Sequence, residues 1–436
     1  MLRVAVIGSG IAGLAAARSL APFARTTLFE ATDRFGGHTH TVELTLQGIT
    51  HGVDTGFLVF NEKTYPKLVA LFAELGVETA PSDMSFSVRA GDIEWSGGSL
   101  GTVFAQRANL LRPQFWWMLG EILRFNRLAT AIAVAATPAG RVALGQPIGD
   151  FLDAHRFSAA FRDWYFLPMI GCIWSCPAER MLRFPMATLI RFCHNHGLLQ
   201  VTGRPQWRTV RGGAVRYVDR MLESIRDARR RTPVRRLRRL AAGGAEVSTD
   251  ASAERFDAVV MACHSDQSLA LLDDPTRAEG EVLGAIRYHA NRVVLHTDVS
   301  VLPRQRRAWA AWNYERALSG DRERAAVCLH YLLNRLQPLP FSAPVIVSLN
   351  PVAEPAVEAV HGEFAYSHPV FDAAAVAAQK RLPALQGQRD TWFCGAWTNH
   401  GFHEDGLVSG LAVAGQIAAR LAPGERPTDS AETKVA

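Results

Sequence analysis

The chain opens on an unbroken apolar run, Val4-Ala5-Val6-Ile7, which enters Gly8-Ser9-Gly10-Ile11-Ala12-Gly13 and leaves as Leu14-Ala15-Ala16-Ala17-Arg18-Ser19-Leu20. An apolar run of strand length bounded by glycine predicts a buried strand, and the alanine- and leucine-rich stretch behind it predicts a helix. Thr26-Thr27-Leu28-Phe29 predicts a second strand, Phe256 through His264 a further buried one, and Trp392 through Ala396 another near the C-terminus, followed by a helical stretch around Leu411–Ile417. Val215–Arg229 reads as helical, and Pro233-Val234 as a short strand beyond it. Residues 81–207 are mainly helical by pattern, with Phe115–Leu119 and Ile122–Phe125 as apolar stretches, whereas residues 291–385 open on the strand Val293–Thr297. Strands alternating with helices around a discontinuous unit predict an α/β fold with an inserted α+β domain. The expected division is 1–80, 208–290 and 386–422 for the first domain, 81–207 and 291–385 for the second, and a flexible tail at 423–436.

The glycine spacing carries chemistry. Gly8 allows a tight turn, Gly10 lets a pyrophosphate approach the backbone, and Gly13 lets the helix pack close on the strand. The helix N-terminus at Ile11 and Ala12 then faces the phosphates with unpaired N–H groups. Glu30 closes the second strand, 20 residues after Gly10. That places a carboxylate to accept from a ribose 2′-hydroxyl and disfavours a 2′-phosphate. An adenine dinucleotide other than NADP is the expected cofactor.

Composition narrows the class. At 48% hydrophobic and 20% charged residues over 436 positions, the chain is expected to form two or three globular domains rather than a disordered or fibrous protein. The uncharged stretches Leu128–Gly140 and Trp164–Ala178 fall short of the ~18–20 residues a membrane span requires. No cleavage-site pattern follows the first apolar run, so a cytoplasmic protein is expected. The net charge is +6, and the basic residues include only four lysines, Lys63, Lys67, Lys380 and Lys434. No helix-turn-helix, finger or aromatic-basic sheet accompanies the charge, so nucleic acid is not an expected partner. Attraction to anionic lipid at the inner membrane face is compatible with it. The arginine-dense run Arg229–Arg239 reads as a solvated edge. The six cysteines show no metal-ligand rhythm beyond the isolated pair Cys172 and Cys176, so no metal is expected and all six read as reduced.

After Glu30 comes Ala31-Thr32-Asp33-Arg34-Phe35-Gly36-Gly37-His38-Thr39, and here the sequence resembles the flavin amine oxidase and phytoene desaturase superfamily. The resemblance implies a Rossmann-like FAD-binding domain of the amine-oxidase type. It also implies that Arg34, Gly36 and Gly37 wrap the FAD pyrophosphate, with His38 where many members carry a second arginine. Gly52-Val53-Asp54-Thr55-Gly56 fits the family's next strand and turn, and Val234 the strand that meets the adenine. The C-terminal segment from Gly395 through Glu404-Asp405-Gly406-Leu407-Val408 would hold the ribityl chain and the pyrimidine edge of the ring. Ala396 stands where many relatives carry glutamate, which leaves Asp405 or Glu404 for the ribityl hydrogen bond. No second dinucleotide fingerprint follows, so electrons are expected to come from the substrate and leave to oxygen, a quinone or a partner protein.

Further segments narrow the resemblance: Thr55–Asn61, Asp83–Ser87, Ile173-Trp174-Ser175, Phe192–Leu199, Trp309–Tyr314 and Asn399–Gly406. They are similar to bacterial NAD/FAD-binding oxidoreductases encoded beside cyclopropane-fatty-acid-synthase-like methyltransferases. That resemblance implies a desaturase acting on methylated fatty acyl chains, a lipophilic substrate, and a methyltransferase as partner. Amine oxidation is the rival; it would use a lysine on the strand near Asn291–Thr297, which holds none, and an aromatic cage of which only Trp397 is matched. A carotenoid-type oxidation, or a flavin-holding subunit without turnover, also remains open. Removing two hydrogens from an alkyl chain needs a hydride acceptor and a base in a dry pocket. His400 and His403, on the loop before the last helix, are the candidate bases, or else they shape that loop by hydrogen bonding. His196 is a further candidate base in the substrate pocket, or else His194 and His196 are polar caps on a helix end before Gly197. Trp174 and Trp207 read as pocket wall or core, and Trp174 and Trp397 are assigned to the substrate pocket. The Phe115–Phe125 stripe, flanked by Arg112, Arg124 and Arg127, reads either as a core helix or as a surface that dips into a bilayer.

Overall fold

The computed structural model describes residues 1–134, 145–200, 203–316 and 326–421; the tail expected over 423–436 lies outside the described residues. Five parallel strands form the first layer, in the order Asp227–Arg229, Ala24–Phe29, Leu2–Ile7, Ala258–Met261, Thr391–Phe393. Side chains alternate across a strand, so Val4, Val6 and Val260 enter one core and Ala5, Ile7 and Val259 the other. The first core is roofed by the helix Ile11–Leu20 and the last helix, His403–Leu421. The second is closed by the three-stranded antiparallel ribbon over 234–256 and by the helix Ala373–Arg381. Burial on both faces is why these strands read as continuous apolar runs.

The second domain is built on a seven-stranded sheet, ordered Val360–Val370, Arg287–His296, Ile346–Leu349, Cys328–Leu332, Trp312–Glu315, Phe86–Ala90, Ile93–Ser96. Helices including Pro113–Val134, Leu167–Trp174 and Met186–Asn195 bury Phe125, Phe161, Phe166 and Phe192 in a separate core beside it. No described helix is long and apolar enough to cross a membrane.

Three expectations change. The helix after Ala214 ends at Leu222, and Asp227–Arg229 becomes the edge strand, because the free edge of Ala24–Phe29 accepts it and Thr27 Oγ1 donates to Asp227 at 2.8 Å. The strand expected to open at Val293 starts at Arg287, since its register with the neighbouring strand runs from Arg287 opposite Val370. Residues 373–385, assigned by pattern to the inserted domain, pack Ala375, Ala378, Leu382 and Leu385 against Phe393 in the parallel-sheet core. The arginine run forms the ribbon edge, where Arg235, Arg236 and Arg238 each meet an acid: Asp250, Asp273 and Glu246.

Candidate functional site

Two turns meet at the C-terminal ends of the first strands. Gly8 sits at φ +104°, and a Cβ on Gly13 would stand 1.9 Å from the Gly8 carbonyl oxygen, so the helix lies directly on the turn. Gly10 caps that helix without a side-chain bond, no acid lies in the first turn, and a Cβ on Gly10 would meet nothing within 4 Å. An uncapped, uncrowded helix N-terminus is suited to an anion. The second turn locks onto the first through the Gly36 N–H, which donates to Ser9 O at 3.0 Å. Arg34 donates to the carbonyls of Gly37 and Thr39 at 2.7 and 3.2 Å, so its guanidinium shapes this turn from within. Glu30 is buried and accepts from Ser9 Oγ at 2.5 Å and from the Thr32 N–H at 2.8 Å. Val234 is buried at the start of its strand, beyond Glu30.

Around the second turn the fold gathers histidines from distant segments. The His38 ring lies 5.4 Å from His368, 5.4 Å from Tyr366 and 6.2 Å from His264. Its Nε2 is enclosed and has no hydrogen-bond partner among the described residues. Burial lowers the pKa of all three histidines, His38 well below its ordinary value and His368 to about 4, because a charged imidazole loses its hydration there. They are therefore neutral near pH 7. His264 and His368 escaped sequence reasoning, since no spacing links positions 38, 264 and 368.

The last helix supplies the opposite wall. His403 Nε2 bonds the Tyr217 hydroxyl at 2.6 Å and Thr39 Oγ1 at 3.2 Å, its ring stacks on Phe57 at 3.8 Å, and burial lowers its pKa to about 3. It is a pinned structural link between the domain's segments. His400 differs: its imidazole makes no hydrogen bond among the described residues, and burial lowers its pKa against the pull of Asp405. Glu404 accepts from the Lys67 and Leu68 N–H groups and so caps the helix Pro66–Glu74. Asp405 accepts from Asn399 Nδ2 at 2.8 Å and from the Phe402 N–H at 2.9 Å, which shapes the loop. The Gly395 N–H donates to Ser409 Oγ at 2.9 Å, and Gly406 faces Ile11.

Several sequence expectations are corrected here. Trp397 is no pocket wall: it is 2% exposed, its Nε1 donates to Cys263 O at 3.1 Å, and it packs beneath the sheet with Phe393. The Val408 side chain is exposed on the last helix, as is that of Leu411. Trp174 is buried in the helical core against Phe184 and Phe192, leaving its Nε1 unpartnered among the described residues. His196 does lie near the loop, stacked on Phe192 at 3.9 Å and 5.8 Å from Phe402, with its Nδ1 bonded to Phe192 O at 2.9 Å. Glu315, Cys328 and His330 converge inside the large sheet, but His330 bonds Glu315 at 3.1 Å and Ser348 at 2.6 Å, and Arg89 lies 3.6 Å from Glu315. That trio is internally satisfied, and the guanidinium beside it opposes a cation.

The two turns, the open helix N-terminus, the ribose-side carboxylate and the orphaned His38 nitrogen together fit a dinucleotide held at its phosphates by Gly10 and the second turn. A family model described as flavin containing amine oxidoreductase matches residues 11–331. The carotenoid phi-ring synthase of Streptomyces griseus is 31% identical over 285 residues, covering 60% of this chain and 52% of its own length. The chain thus spans about half the length of that relative. The cyclohexylamine oxidase of Brevibacterium oxydans superposes at a TM-score of 0.68 with 16% identity, covering 96% of this chain and 99% of its own. A CLA-producing fatty acid isomerase from P. acnes superposes at 0.64 with 16% identity, covering 95% and 98%. At those identities the likeness shows a shared fold.

Proposed function

The chain belongs to the flavin-containing amine oxidoreductase family and is an FAD-dependent oxidoreductase, and on that premise we propose that it desaturates an apolar substrate, a methyl-branched fatty acyl chain of a phospholipid. Bound FAD supplies the hydride acceptor. The chain's own residues do the rest. Gly10, the helix behind it and the turn Arg34–Thr39 would hold the phosphates, and Glu30 would accept from the ribose. His403, pinned by Tyr217 and Phe57, fixes the start of the last helix. His400, whose imidazole makes no hydrogen bond among the described residues, would take up the proton that leaves with the hydride.

The observation that carries this reading is the charge of the wall. His38, His264 and His368 are all held neutral by burial, and the strand Arg287–His296 beside them contains no lysine. An uncharged wall suits a C–H donor that brings no charge of its own. An ammonium substrate would need an unspent carboxylate, yet Asp54 is committed to Thr41 and the Ala214 N–H, and Asp405 to Asn399 and Phe402. A carotenoid-type polyene is the second reading, favoured by the 31% identity to the phi-ring synthase.

The exposed surface around the helix Pro113–Val134 supports a substrate carried in a membrane. Phe115, Met118 and Phe125 face the core, but Trp116 and Trp117 are exposed, as are Leu110 and Leu111 just before them. Arg107, Arg124 and Arg127 are exposed around them. Exposed tryptophan and leucine ringed by arginine support seating on an anionic bilayer surface. A lipid methyltransferase supplying the branched chain is the partner this reading implies.

The test is anaerobic. Yellow holoprotein is mixed with lipid carrying methyl-branched unsaturated chains, with amines, or with polyenes, and the visible flavin absorbance is followed. Bleaching by the branched lipid alone supports the proposal. Bleaching by amines and not by lipid overturns it, and bleaching by polyenes alone selects the second reading.

A further inference from the structure

A cavity of about 370 Å³ lies beside the histidine wall, lined by Pro177, Arg180, Arg183, Arg287, His289 and Asp372. Its size falls in the ~300–1,000 Å³ range of small-molecule sites. Among the described residues, three guanidiniums and one carboxylate line it. The carboxylate is already committed: Asp372 pairs with Arg287 and also accepts from the Ala375 N–H at 3.0 Å, capping the helix Ala373–Arg381. Arg180 has no carboxylate partner among the described residues. His289 Nε2 is enclosed and has no hydrogen-bond partner among them either.

The cavity's position gives the charge a meaning. His289 stands opposite His368 in the paired strands, and His368 lies 5.4 Å from His38 on the cofactor turn. Val370, also on the cavity wall, belongs to the helical apolar core together with Phe192 and Phe371. A molecule held here would therefore set a charged end among the arginines, with apolar core to one side and the histidine wall one strand pair away.

We propose that this cavity is an oxyanion site that holds the carboxylate or phosphate head of an amphiphilic substrate and thereby sets which part of its chain reaches the flavin. The inference rests on the acyl-chain reading above. Guanidinium binds an oxyanion through charge-assisted, bidentate hydrogen bonds, and His289 Nε2–H adds a further donor. The same rim repels an ammonium group. Burial and the neighbouring Arg180 lower the pKa of His289, so it donates as a neutral imidazole.

Calorimetric titration of the holoprotein with dodecanoate, dodecyl phosphate, dodecanol and inorganic phosphate tests this, in wild type and in Arg180→Gln. Arg180→Lys serves as the charge-keeping control, and Arg180 is chosen because it holds no carboxylate among the described residues. The expected result is that one of the two anionic chains binds at least about tenfold tighter than dodecanol, and that Arg180→Gln removes most of that margin. Arg180→Lys should keep a good part of it. Whichever head binds tighter identifies the source as carboxylate or phosphate. If the anionic chains and dodecanol bind alike in both proteins, the oxyanion site is refuted while the acyl-chain reading stands. If no chain binds but inorganic phosphate binds wild type and not Arg180→Gln, the site is upheld and the acyl-chain reading fails.

Discussion

Gly410 on the last helix is where packing and cofactor binding meet. A Cβ there would stand 2.1 Å from the Ala12 carbonyl oxygen and 2.9 Å from its carbon, against 3.4 Å for ordinary contact. Gly410→Ala must therefore push the last helix about 1.3 Å off the first. Those two helices carry the open N-terminus at Gly10 and the loop holding His400 and His403, so both ends of the cofactor cradle move apart. Overpacking of this kind costs about 1–3 kcal/mol, which corresponds to roughly 5- to 150-fold in an equilibrium constant. On the same helix Gly415 is exposed, and a Cβ there meets nothing within 4 Å. Gly415→Ala should gain up to about 1 kcal/mol from helix propensity alone. The assay is urea unfolding of both apoproteins together with FAD titration followed by flavin fluorescence. Gly410→Ala should lower the urea midpoint and weaken FAD, while Gly415→Ala should do neither. Equal behaviour of the two variants would refute the close-packing argument.

Acid should unfold the protein earlier than its acidic residues alone would dictate. His40, His196, His296 and His368 are held at about 4 and His403 at about 3, chiefly by burial. Below the unfolded value of ~6.5 the unfolded chain binds protons that the native one refuses. Stability is thus intact above ~6.5 and falls by about 1.4 kcal/mol per pH unit per net proton down to about 4. Asp54, raised to about 6 by burial, works the other way but is outnumbered. A thermal midpoint unchanged between neutral pH and the acid end of this window would contradict this. His400→Ala should slow anaerobic flavin reduction about 100-fold or more with an unchanged unfolding midpoint. His403→Ala should lower the midpoint, with a loss of about 1–3 kcal/mol of stability through its lost Tyr217 bond; the reverse pattern would exchange their roles. Trp117→Ser with Leu111→Ser should cut sedimentation with anionic vesicles at least about tenfold, and unchanged sedimentation would remove the membrane contact.

The glycine turn, the first helix and Glu30 were legible because their chemistry is local: each residue's role follows from its neighbours in sequence. The same holds for the buried strands, whose two-sided burial leaves continuous apolar runs. The helix end at Leu222 was not legible, since Asp227–Arg229 gains strand geometry only from the free edge of Ala24–Phe29. Trp397 misled for a related reason. It follows the glycine strand as a cage residue would, but Gly395, lacking a Cβ, lets the indole fold under the sheet to Cys263. The histidine wall and the arginine cavity are built by register, with His289 opposite His368, and no spacing along the chain encodes it.

The central claim is tested most directly by the product. Holoprotein is incubated anaerobically with a phospholipid bearing methyl-branched unsaturated chains, and the recovered chains are weighed by mass spectrometry against the flavin reduced. One chain two hydrogens lighter for each flavin bleached is the predicted result. Bleached flavin with chains of unchanged mass, or no bleaching while amines are turned over, would contradict it.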